Sequence, residues 1–278
     1  MQKNYYVFDE KNPAEQQRLG VQDGLVTKCM GGVLPVDRPL PPGARVLDIA
    51  CGPGEWTIAL AKQYPDAEIT GIDISEHMIG YAQAQARVRH LANVDFQLMD
   101  FRNLAFEEQS FDFINARFIG VAMTKNDWPA LWQRCYELLA PGGVLRWSES
   151  DIPTTSSKAY DQFYALLAQA MHKTGQSFSV DGRNIGLLPR MIPLLVTAGF
   201  TEIEERAYSL DSSYYTQLWQ AGLEISIATI QLVKPLLVRT GVVQEEAYNV
   251  LFDQAVAEMQ AADYVAMSLM LSVWARKP

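Results

Sequence analysis

Residues 46–56 read VLDIACGPGEW. An apolar run of strand length leads directly into Gly-Pro-Gly, and a run typical of a helix follows over residues 55–64. Glycine is needed where the backbone turns sharply and a ligand lies against it. The amide groups of a helix N-terminus then face that ligand. The stretch therefore predicts a strand, a tight turn and a helix that together bind a small molecule.

Short β-rich runs alternate with longer helical runs beyond this turn, which is typical of a parallel sheet covered by helices on both faces. The predicted strands are 45–50, 68–73, 94–98, 111–116, 144–149, 201–210 and 264–275, and the further helices are 76–91, 127–139 and 188–198. The last strand is also compatible with a helix. The pattern predicts a doubly wound α/β fold with a mostly parallel, seven-stranded sheet.

Two stretches interrupt the alternation. Residues 154–183 read as a helix over 160–172 and a polar loop, KTGQSFSVDGRN, and residues 212–262 read as two or three amphipathic helices. Segments of this kind above strand ends are typical of lids. We therefore predict an N-terminal helical cap over residues 1–43 and one domain over 44–278, with lid insertions at about 152–186 and 212–262.

The composition limits the classes of function. The chain has 278 residues, 49% hydrophobic, and its 23 Lys and Arg against 32 Asp and Glu give a net charge of −9, which disfavours nucleic acid as a partner. Cys29, Cys51 and Cys135 form no CxxC pair or Cys/His cluster, so we predict free thiols and no metal site.

No apolar stretch has the length of a signal peptide or a membrane span, which predicts a cytoplasmic protein without membrane attachment. The most apolar region, residues 225–238, contains Lys234 and Pro235 and is predicted to be a buried helix. A homodimer is compatible with the sequence, which does not decide the oligomeric state.

A strand, a GxG turn and a helix also occur in nicotinamide and flavin proteins, so this turn alone is a weak signal. The third glycine of their GxGxxG motif would fall at Thr57, and Glu55 places a carboxylate where a pyrophosphate would lie. A dinucleotide, and with it a nicotinamide-dependent oxidoreductase, is therefore disfavoured. The segment VLDIACGPG resembles the first motif of the class I S-adenosylmethionine-dependent methyltransferases.

That resemblance implies S-adenosylmethionine as the cofactor. Gly52 and Gly54 would line its methionyl part, with the backbone of Ala50 and Cys51 alongside, and Asp48 would support the turn through buried hydrogen bonds. The alternative is that these residues only shape a strand-to-helix turn in another Rossmann-like protein.

Two further strand ends carry carboxylates. Asp73 follows the second strand at the spacing of a βαβ unit and can accept hydrogen bonds from both ribose hydroxyls. The alternative is that Asp73 or Ser75 only caps the next helix. At the third strand end, the resemblance implies that Asp100 accepts from the adenine amine and that the amide of Phe101 meets a ring nitrogen.

The resemblance also implies contacts around the adenine and the sulfonium. Ile74 and Met78 would pack on the adenine ring, although Met78 fits a core position equally well. Asn115 would face the sulfonium. Arg117 either anchors an anionic acceptor or the cofactor carboxylate, or lies at the surface.

Residues 12–32 resemble a leading helix that closes over the cofactor in one subgroup of the family. Gln22, Thr27 and Lys28 would then reach the cofactor carboxylate. An exposed amphipathic helix is the alternative.

Methyl transfer requires the nucleophile and the methyl group to be held in line in a dry site, without a metal, and a base only if the acceptor must lose a proton. His172, in the predicted lid, is the candidate base, with a solvent-facing role as the alternative. Aromatic residues of the insertions favour a small apolar or aromatic acceptor. We predict a small-molecule methyltransferase or, alternatively, an S-adenosylmethionine-binding protein of the same fold that catalyses a non-methylating rearrangement.

Overall fold

A computed structural model describes residues 6–8 and 13–278 of the chain. Its strands are β1 (Arg45–Ile49), β2 (Glu68–Asp73), β3 (Val94–Leu98), β4 (Phe111–Arg117), β5 (Leu139–Ser150), β6 (Thr154–Thr155), β7 (Thr201–Asp211) and β8 (Ala266–Arg276). Its α-helices are α1 (Pro13–Cys29), α2 (Glu55–Gln63), α3 (Glu76–Val88), α4 (Trp128–Leu138), α5 (Lys158–Lys173), α6 (Met191–Thr197), α7 (Trp219–Arg239) and α8 (Glu245–Met259). Short 3-10 helices span Phe101–Asn103, Ile119–Ala122 and Leu188–Arg190.

All the strands belong to one sheet in the order β3-β2-β1-β4-β5-β8, with β7 paired to the far side of β8 and β6 also paired to β8. The first five strands run parallel, and β8 runs antiparallel to its neighbours. The predicted α/β fold is confirmed. The sheet has eight strands where we predicted seven, because the two-residue β6 continues the line of β5 along β8.

This order brings the carboxyl ends of β1 to β5 to one edge of the sheet, on either side of the point where the chain reverses its direction of winding. Ligands of open α/β sheets bind at such an edge. The register places Asp48 of β1 opposite Gly71 of β2 on one side and Asn115 of β4 on the other. Polar residues of β1 and β4 therefore lie side by side beneath the edge.

Large apolar side chains cover both faces of the sheet, which keeps its edge rigid. On one face Trp128 and Trp132 of α4 pack against Trp147 of β5, with ring centroids 4.6 and 4.5 Å from the Trp147 ring. On the other face Trp56 of α2 is buried in a cluster with Trp274 of β8. Strands buried on both faces are typical of parallel sheets.

Helices α5, α7 and α8 fall within the two predicted insertions and share a second apolar core. Within the described residues, α7 is the one helix long and apolar enough to meet the length and hydropathy criteria of a membrane span. Its residues Ile230, Val233 and Leu237 are buried in the core shared with α5 and α8. The prediction of a buried helix in this region therefore agrees with the packing of α7.

Several element bounds differ from the sequence-based ones. Residues 264–275, for which a helix was the competing assignment, form β8 from Ala266 onward. The strand predicted at 144–149 begins at Leu139. The register with β4 shifts between Phe111 and Phe113, so that Leu139 pairs with Phe111 and Val144 pairs with Phe113. The helix predicted over 188–198 begins with a 3-10 turn, and its α-helical part starts at Met191.

Gly54, which precedes α2, has no room for a side chain. Its φ is 80°, and an added Cβ would lie 2.8 Å from the Phe96 ring and 2.9 Å from the Cβ of Ala82. We expect Gly54→Ala to lower the free energy of unfolding by roughly 2–4 kcal/mol, through left-handed backbone strain and overpacking together. Urea unfolding followed by circular dichroism measures this change.

The matched control is Gly43→Ala, where φ is 70° but no atom lies within 4 Å of an added Cβ. Only backbone strain acts there, so a loss of about 1 kcal/mol is expected. Equal losses in the two variants would contradict the packing role of Gly54.

Candidate cofactor and acceptor site

A cavity of about 340 Å³ lies at the carboxyl edge of the sheet, between the strand ends and helices α1, α5 and α7. Most of the predicted site residues line it: Gln22, Ala50, Cys51, Gly52, Asp73, Ile74, Met78, Asp100, Phe101 and Arg117. Gly54, Asn115 and His172 do not line it. The three exceptions have different physical reasons.

The turn after β1 is held by backbone hydrogen bonds. The amide of Cys51 donates to the carbonyl of Ile72 at 2.9 Å, and the amide of Gly54 donates to the carbonyl of Cys51 at 3.0 Å. Ala50 and Gly52 both have a φ of 54°, so the chain leaves the strand through left-handed conformations. Gly52 lines the cavity, whereas Gly54 faces Phe96 behind it. The predicted cofactor contact of Gly54 is therefore corrected to a packing role.

Asp48 lies beneath this turn and is buried. Its carboxylate accepts hydrogen bonds from Oγ1 of Thr57 at 2.6 Å and from Nδ2 of Asn115 at 2.7 Å. Burial raises the pKa of Asp48 to about 6, although these two hydrogen bonds and the charge of Arg117 act in the opposite direction. Asp48 thus joins β1, α2 and β4, as the sequence predicted for its supporting role.

Asn115 belongs to the same buried network rather than to the cavity wall. It is fully buried, and its Oδ1 accepts from Nε of Arg146 at 2.7 Å. Arg146 in turn donates to the carbonyl of Val33 at 2.8 Å and lies over the Trp56 ring, 4.8 Å from its centroid. The predicted contact of Asn115 with the sulfonium is corrected: the pleat of β4 points its side chain at Asp48.

Asp73 connects the ends of β1 and β2. Its Oδ2 accepts from the amide of Gly52 at 3.0 Å, and its Oδ1 accepts from the amide of Ser75 at 2.9 Å. Ser75 caps α3 by accepting from the amide of Met78. Each carboxylate oxygen can accept two hydrogen bonds. Asp73 therefore holds both turns at the cavity wall, and its oxygens have the chemistry that a ribose diol requires.

Asp100 is engaged by its neighbour Arg102, which the sequence analysis did not anticipate. Its Oδ1 accepts from Nε of Arg102 at 2.9 Å, and its Oδ2 accepts from Nη2 at 2.7 Å. Burial alone would raise the pKa of Asp100, but the hydrogen bonds and charge of Arg102 outweigh it and lower the pKa. Asp100 is thus an ionised acceptor at the cavity wall that Arg102 holds in place.

Arg117 joins β4 to the N-terminal helix α1. Its side chain is 10% exposed, so the surface interpretation is wrong. The guanidinium forms an ion pair with Asp23 and donates to Oγ1 of Thr27 at 3.2 Å. An arginine in a cavity wall, paired to a helix above it, holds that helix over the cavity.

Helix α1 also buries an ion pair of its own. Nε of Arg18 donates to Oε2 of Glu15 at 2.6 Å, and Arg18 also donates to the side chain of Gln22. The alternative of an exposed amphipathic helix is wrong, because Glu15 and Arg18 are buried. Lys28 is exposed and does not line the cavity.

His172 lies near the end of α5 with an exposed side chain, beside Gly182 and outside the cavity wall. The structure does not bring it to the predicted acceptor space. Its solvent-facing alternative agrees with this placement. The structure therefore does not support the catalytic role suggested for His172, because its face of α5 is turned to solvent.

Glu149, near the end of β5, is the site residue that the sequence analysis missed. Its Oε1 accepts from Nε1 of Trp147 at 2.9 Å and from the amide of Gly120 at 3.0 Å. Burial raises the pKa of Glu149 to about 7, against the lowering effect of these hydrogen bonds. The rule that selected Asp73 and Asp100, a carboxylate at a strand end, also selects Glu149.

The part of the cavity beneath the insertions is largely apolar. Among the aromatic residues of the two insertions, Tyr160 lines the cavity. Phe163 is buried in the core of the insertions instead, and Tyr215 is exposed. The wall consists mainly of Val121, Tyr160, Tyr164, Leu167, Met171, Ile185, Leu187, Tyr264 and Met270. No group of three or more His, Cys, Asp or Glu suited to a metal ion occurs in the described part of the chain.

The parallel strand order, the turn after β1 and the carboxylates after β2 and β3 define a Rossmann-like protein that binds an adenosine cofactor. Residues 46–143 match the sequence model of a family described as a methyltransferase domain. Over residues 46–143 the chain is therefore similar to methyltransferase domains, and the cofactor of such domains is S-adenosylmethionine.

Two curated relatives are a regulator and a methyltransferase. The chain is 31% identical over 204 residues to the secondary metabolism regulator laeA of Aspergillus fumisynnematus, which covers 70% of the chain and 50% of the relative. It is 27% identical over 177 residues to a demethylmenaquinone methyltransferase of Geobacillus sp. (strain WCH70), covering 60% of the chain and 75% of the relative. The chain thus spans about half the length of the fungal regulator.

Among solved structures, the fold is similar to phosphoethanolamine N-methyltransferase 2 of Haemonchus contortus, in complex with phosphomonomethylethanolamine and S-adenosylhomocysteine. The TM-score is 0.53 at 20% identity, and the match covers 94% of this chain and 53% of that one. This likeness supports the fold.

The raised pKa of Glu149 has a consequence for stability. A carboxyl whose pKa rises from 4.5 to about 7 on folding keeps its proton in the folded state over a range in which the unfolded chain has lost it. Its contribution therefore favours folding at low pH and declines as the pH rises through that range. We compare the free energy of unfolding of Glu149→Gln with that of wild type. As the pH rises from about 5 to about 8, this difference should change by about 3 kcal/mol in favour of the variant.

Urea unfolding of both proteins at the two pH values measures this difference. Glu246→Gln, at an exposed position in the first turn of α8, is the control and should leave the pH dependence unchanged. If the free energies of unfolding of wild type and Glu149→Gln change in parallel with pH, Glu149 titrates like an exposed glutamate.

Proposed function

We propose that the chain is an S-adenosylmethionine-dependent methyltransferase that methylates a small, largely apolar molecule. The observation that carries this proposal is the continuity of one cavity, which extends from the strand-end carboxylates to an apolar chamber beneath α5 and α7. A cofactor that lies along the strand ends would present its reactive group toward that chamber.

The strand ends have the chemistry of the cofactor. Asp73 would accept hydrogen bonds from the ribose hydroxyls while it continues to bind the amides of Gly52 and Ser75. Asp100, held by Arg102, would accept from the adenine amine, and the amide of Phe101 would meet a ring nitrogen. Ile74, which is 42% exposed beside the cavity, would gain a contact with the adenine ring.

Charge also favours this cofactor over a dinucleotide. When bound, S-adenosylmethionine supplies a methyl group activated by a positive sulfonium. The wall around the first turn contains the carboxyl groups of Asp23, Asp48 and Glu55, which suit positive groups and disfavour a pyrophosphate. The protein would hold the nucleophile of the acceptor in line with the methyl group and exclude water from the site. Such positioning is the main source of rate acceleration in a displacement of this kind.

The size and enclosure of the cavity favour a small acceptor. Helices α1, α5 and α7 cover the strand ends, so a folded protein or a nucleic acid would not reach the inner chamber. The apolar wall is suited to a ring or an alkyl chain. One relative is named for methylating demethylmenaquinone, which supports an apolar acceptor. The net charge of −9 disfavours nucleic acid as a partner. We also propose that the protein acts in the cytoplasm.

Calorimetry with S-adenosylhomocysteine tests the cofactor site. We expect wild-type protein to bind it and Asp73→Asn to weaken binding by about tenfold to a hundredfold, because the variant loses charge-assisted hydrogen bonds to the ribose. Asp66→Asn, at an exposed position between α2 and β2, should bind as tightly as wild type. Absent binding to wild-type protein, or equal binding to both variants, would contradict the proposal.

A second measurement separates methyl transfer from the alternative of a non-methylating rearrangement. Protein and S-adenosylmethionine are incubated with a set of phenols, quinols and apolar amines, and S-adenosylhomocysteine is quantified by mass spectrometry. Methyl transfer releases one S-adenosylhomocysteine for each methylated product. Conversion of an acceptor without release of S-adenosylhomocysteine would favour the rearrangement.

A further inference from the structure

Glu149 lines the cavity near the end of β5, close to Leu187 of the apolar wall, and no role proposed above for cofactor binding uses it. We propose that Glu149 binds the hydroxyl group of the acceptor and takes its proton, so that the acceptor is an apolar molecule with an acidic hydroxyl, such as a phenol or an enol. This inference rests on the proposed function and names the chemical class of its acceptor.

The carboxylate is fixed in one orientation. Nε1 of Trp147 and the amide of Gly120 both donate to Oε1. The backbone of Ile119 also hydrogen-bonds the carboxyl group. Glu149 is 4% exposed and lines the cavity. Oε1 thus anchors the group, and Oε2 is the atom at which we place the hydrogen bond from a molecule in the cavity.

The absence of a side chain at Gly120 lets the carboxylate and Leu187 approach the backbone closely. A Cβ at position 120 would lie 3.1 Å from Oε2 of Glu149 and 2.5 Å from Cδ2 of Leu187. The carboxylate and Leu187 therefore both lie on the side of Gly120 where a side chain would stand. The carboxylate is therefore bordered by apolar surface, where a hydroxyl on an apolar body can lie against it and water is excluded.

The other titratable groups of the cavity wall are engaged or lie elsewhere. Arg117 is paired with Asp23, Arg18 with Glu15 and Asp100 with Arg102. Asp151 is exposed, and Asp48 is held by Thr57 and Asn115. Glu149 forms no ion pair in the part of the chain that the structure describes. The remaining titratable side chains of the wall are Cys51, Glu55, Asp73, Arg102, Tyr6, Tyr160, Tyr164 and Tyr264.

The chemistry of the step is balanced with the groups present. The O–H bond of the acceptor breaks and its proton moves to Oε2 of Glu149, while the oxygen forms a bond to the methyl carbon. The methyl–sulfur bond breaks, and its electron pair stays on the sulfur. A carboxyl with a pKa of about 7 is partly ionised at neutral pH and can accept this proton and later release it to water.

Two matched probes test the inference without turnover: 2-naphthol, which has the hydroxyl, and 2-methoxynaphthalene, which lacks it. Their affinities for the complex with S-adenosylhomocysteine are measured by tryptophan fluorescence at about pH 8 and about pH 6. We expect wild-type protein to prefer 2-naphthol by about tenfold at the higher pH, because a buried carboxylate accepts its hydroxyl. The preference should fall at the lower pH as Glu149 becomes protonated.

Glu149→Gln should reduce the preference to about twofold and remove its pH dependence. Glu246→Gln, which changes an exposed carboxylate outside the cavity, should behave like wild type. A preference that survives in Glu149→Gln would overturn the inference.

If Glu149→Gln does not fold, the wild-type protein alone tests the role of Glu149. Equal affinity for the two probes, or a preference for 2-naphthol that does not change between the two pH values, would overturn the inference. Calorimetry with S-adenosylhomocysteine on the same samples separates the two proposals. Failure of cofactor binding would contradict the proposed function, whereas intact cofactor binding without a preference for the hydroxyl would contradict only the role of Glu149.

Discussion

The buried carboxylate of Asp48 holds together the elements that form the site. Burial of a carboxylate is unfavourable unless hydrogen bonds compensate it, and here Thr57 and Asn115 supply them. These bonds join β1 to α2 and β4, and Arg146 extends the network to the backbone of Val33 before the sheet. These hydrogen bonds fix the end of β1 against α2 and β4, on either side of the turn. The position of Gly52 at the cavity wall, and of Asp73 against its amide, follows from that constraint.

Charge is arranged around the cavity by pairing. The ion pair of Arg117 with Asp23 attaches helix α1 to the sheet. The ion pair of Arg18 with Glu15 lies within α1 and links successive turns of the helix. Asp100 is oriented by Arg102, whereas Asp73 is oriented by backbone amides. Each group is thus held before a ligand binds, which reduces the entropy lost on binding. Glu149 differs because its environment is apolar, and its protonation responds to pH near neutrality.

The sequence predicts those parts of the site that depend on local rules. A glycine turn after an apolar strand, and a carboxylate at the next strand end, identify Gly52 and Asp73 from spacing alone. Gly54 and Asn115 could not be assigned in this way, because the direction of each depends on what packs against it: Phe96 for Gly54 and Asp48 for Asn115. The exposure of His172 depends on how α5 packs, and sequence periodicity does not determine that.

The two sides of the cavity are formed by different elements of the fold. Its cofactor side comes from the ends of β1 to β4, and those residues are constrained by the sheet and by the network around Asp48. Much of its acceptor side comes from α5, α7 and the loop before α6, which have an apolar core of their own. Substitutions in the chamber can therefore alter which molecule is accepted without disturbing the nucleoside contacts. Such a division lets one scaffold diversify its chemistry by exchange of the covering helices, and it makes them the segments to vary when a new acceptor is sought in the laboratory.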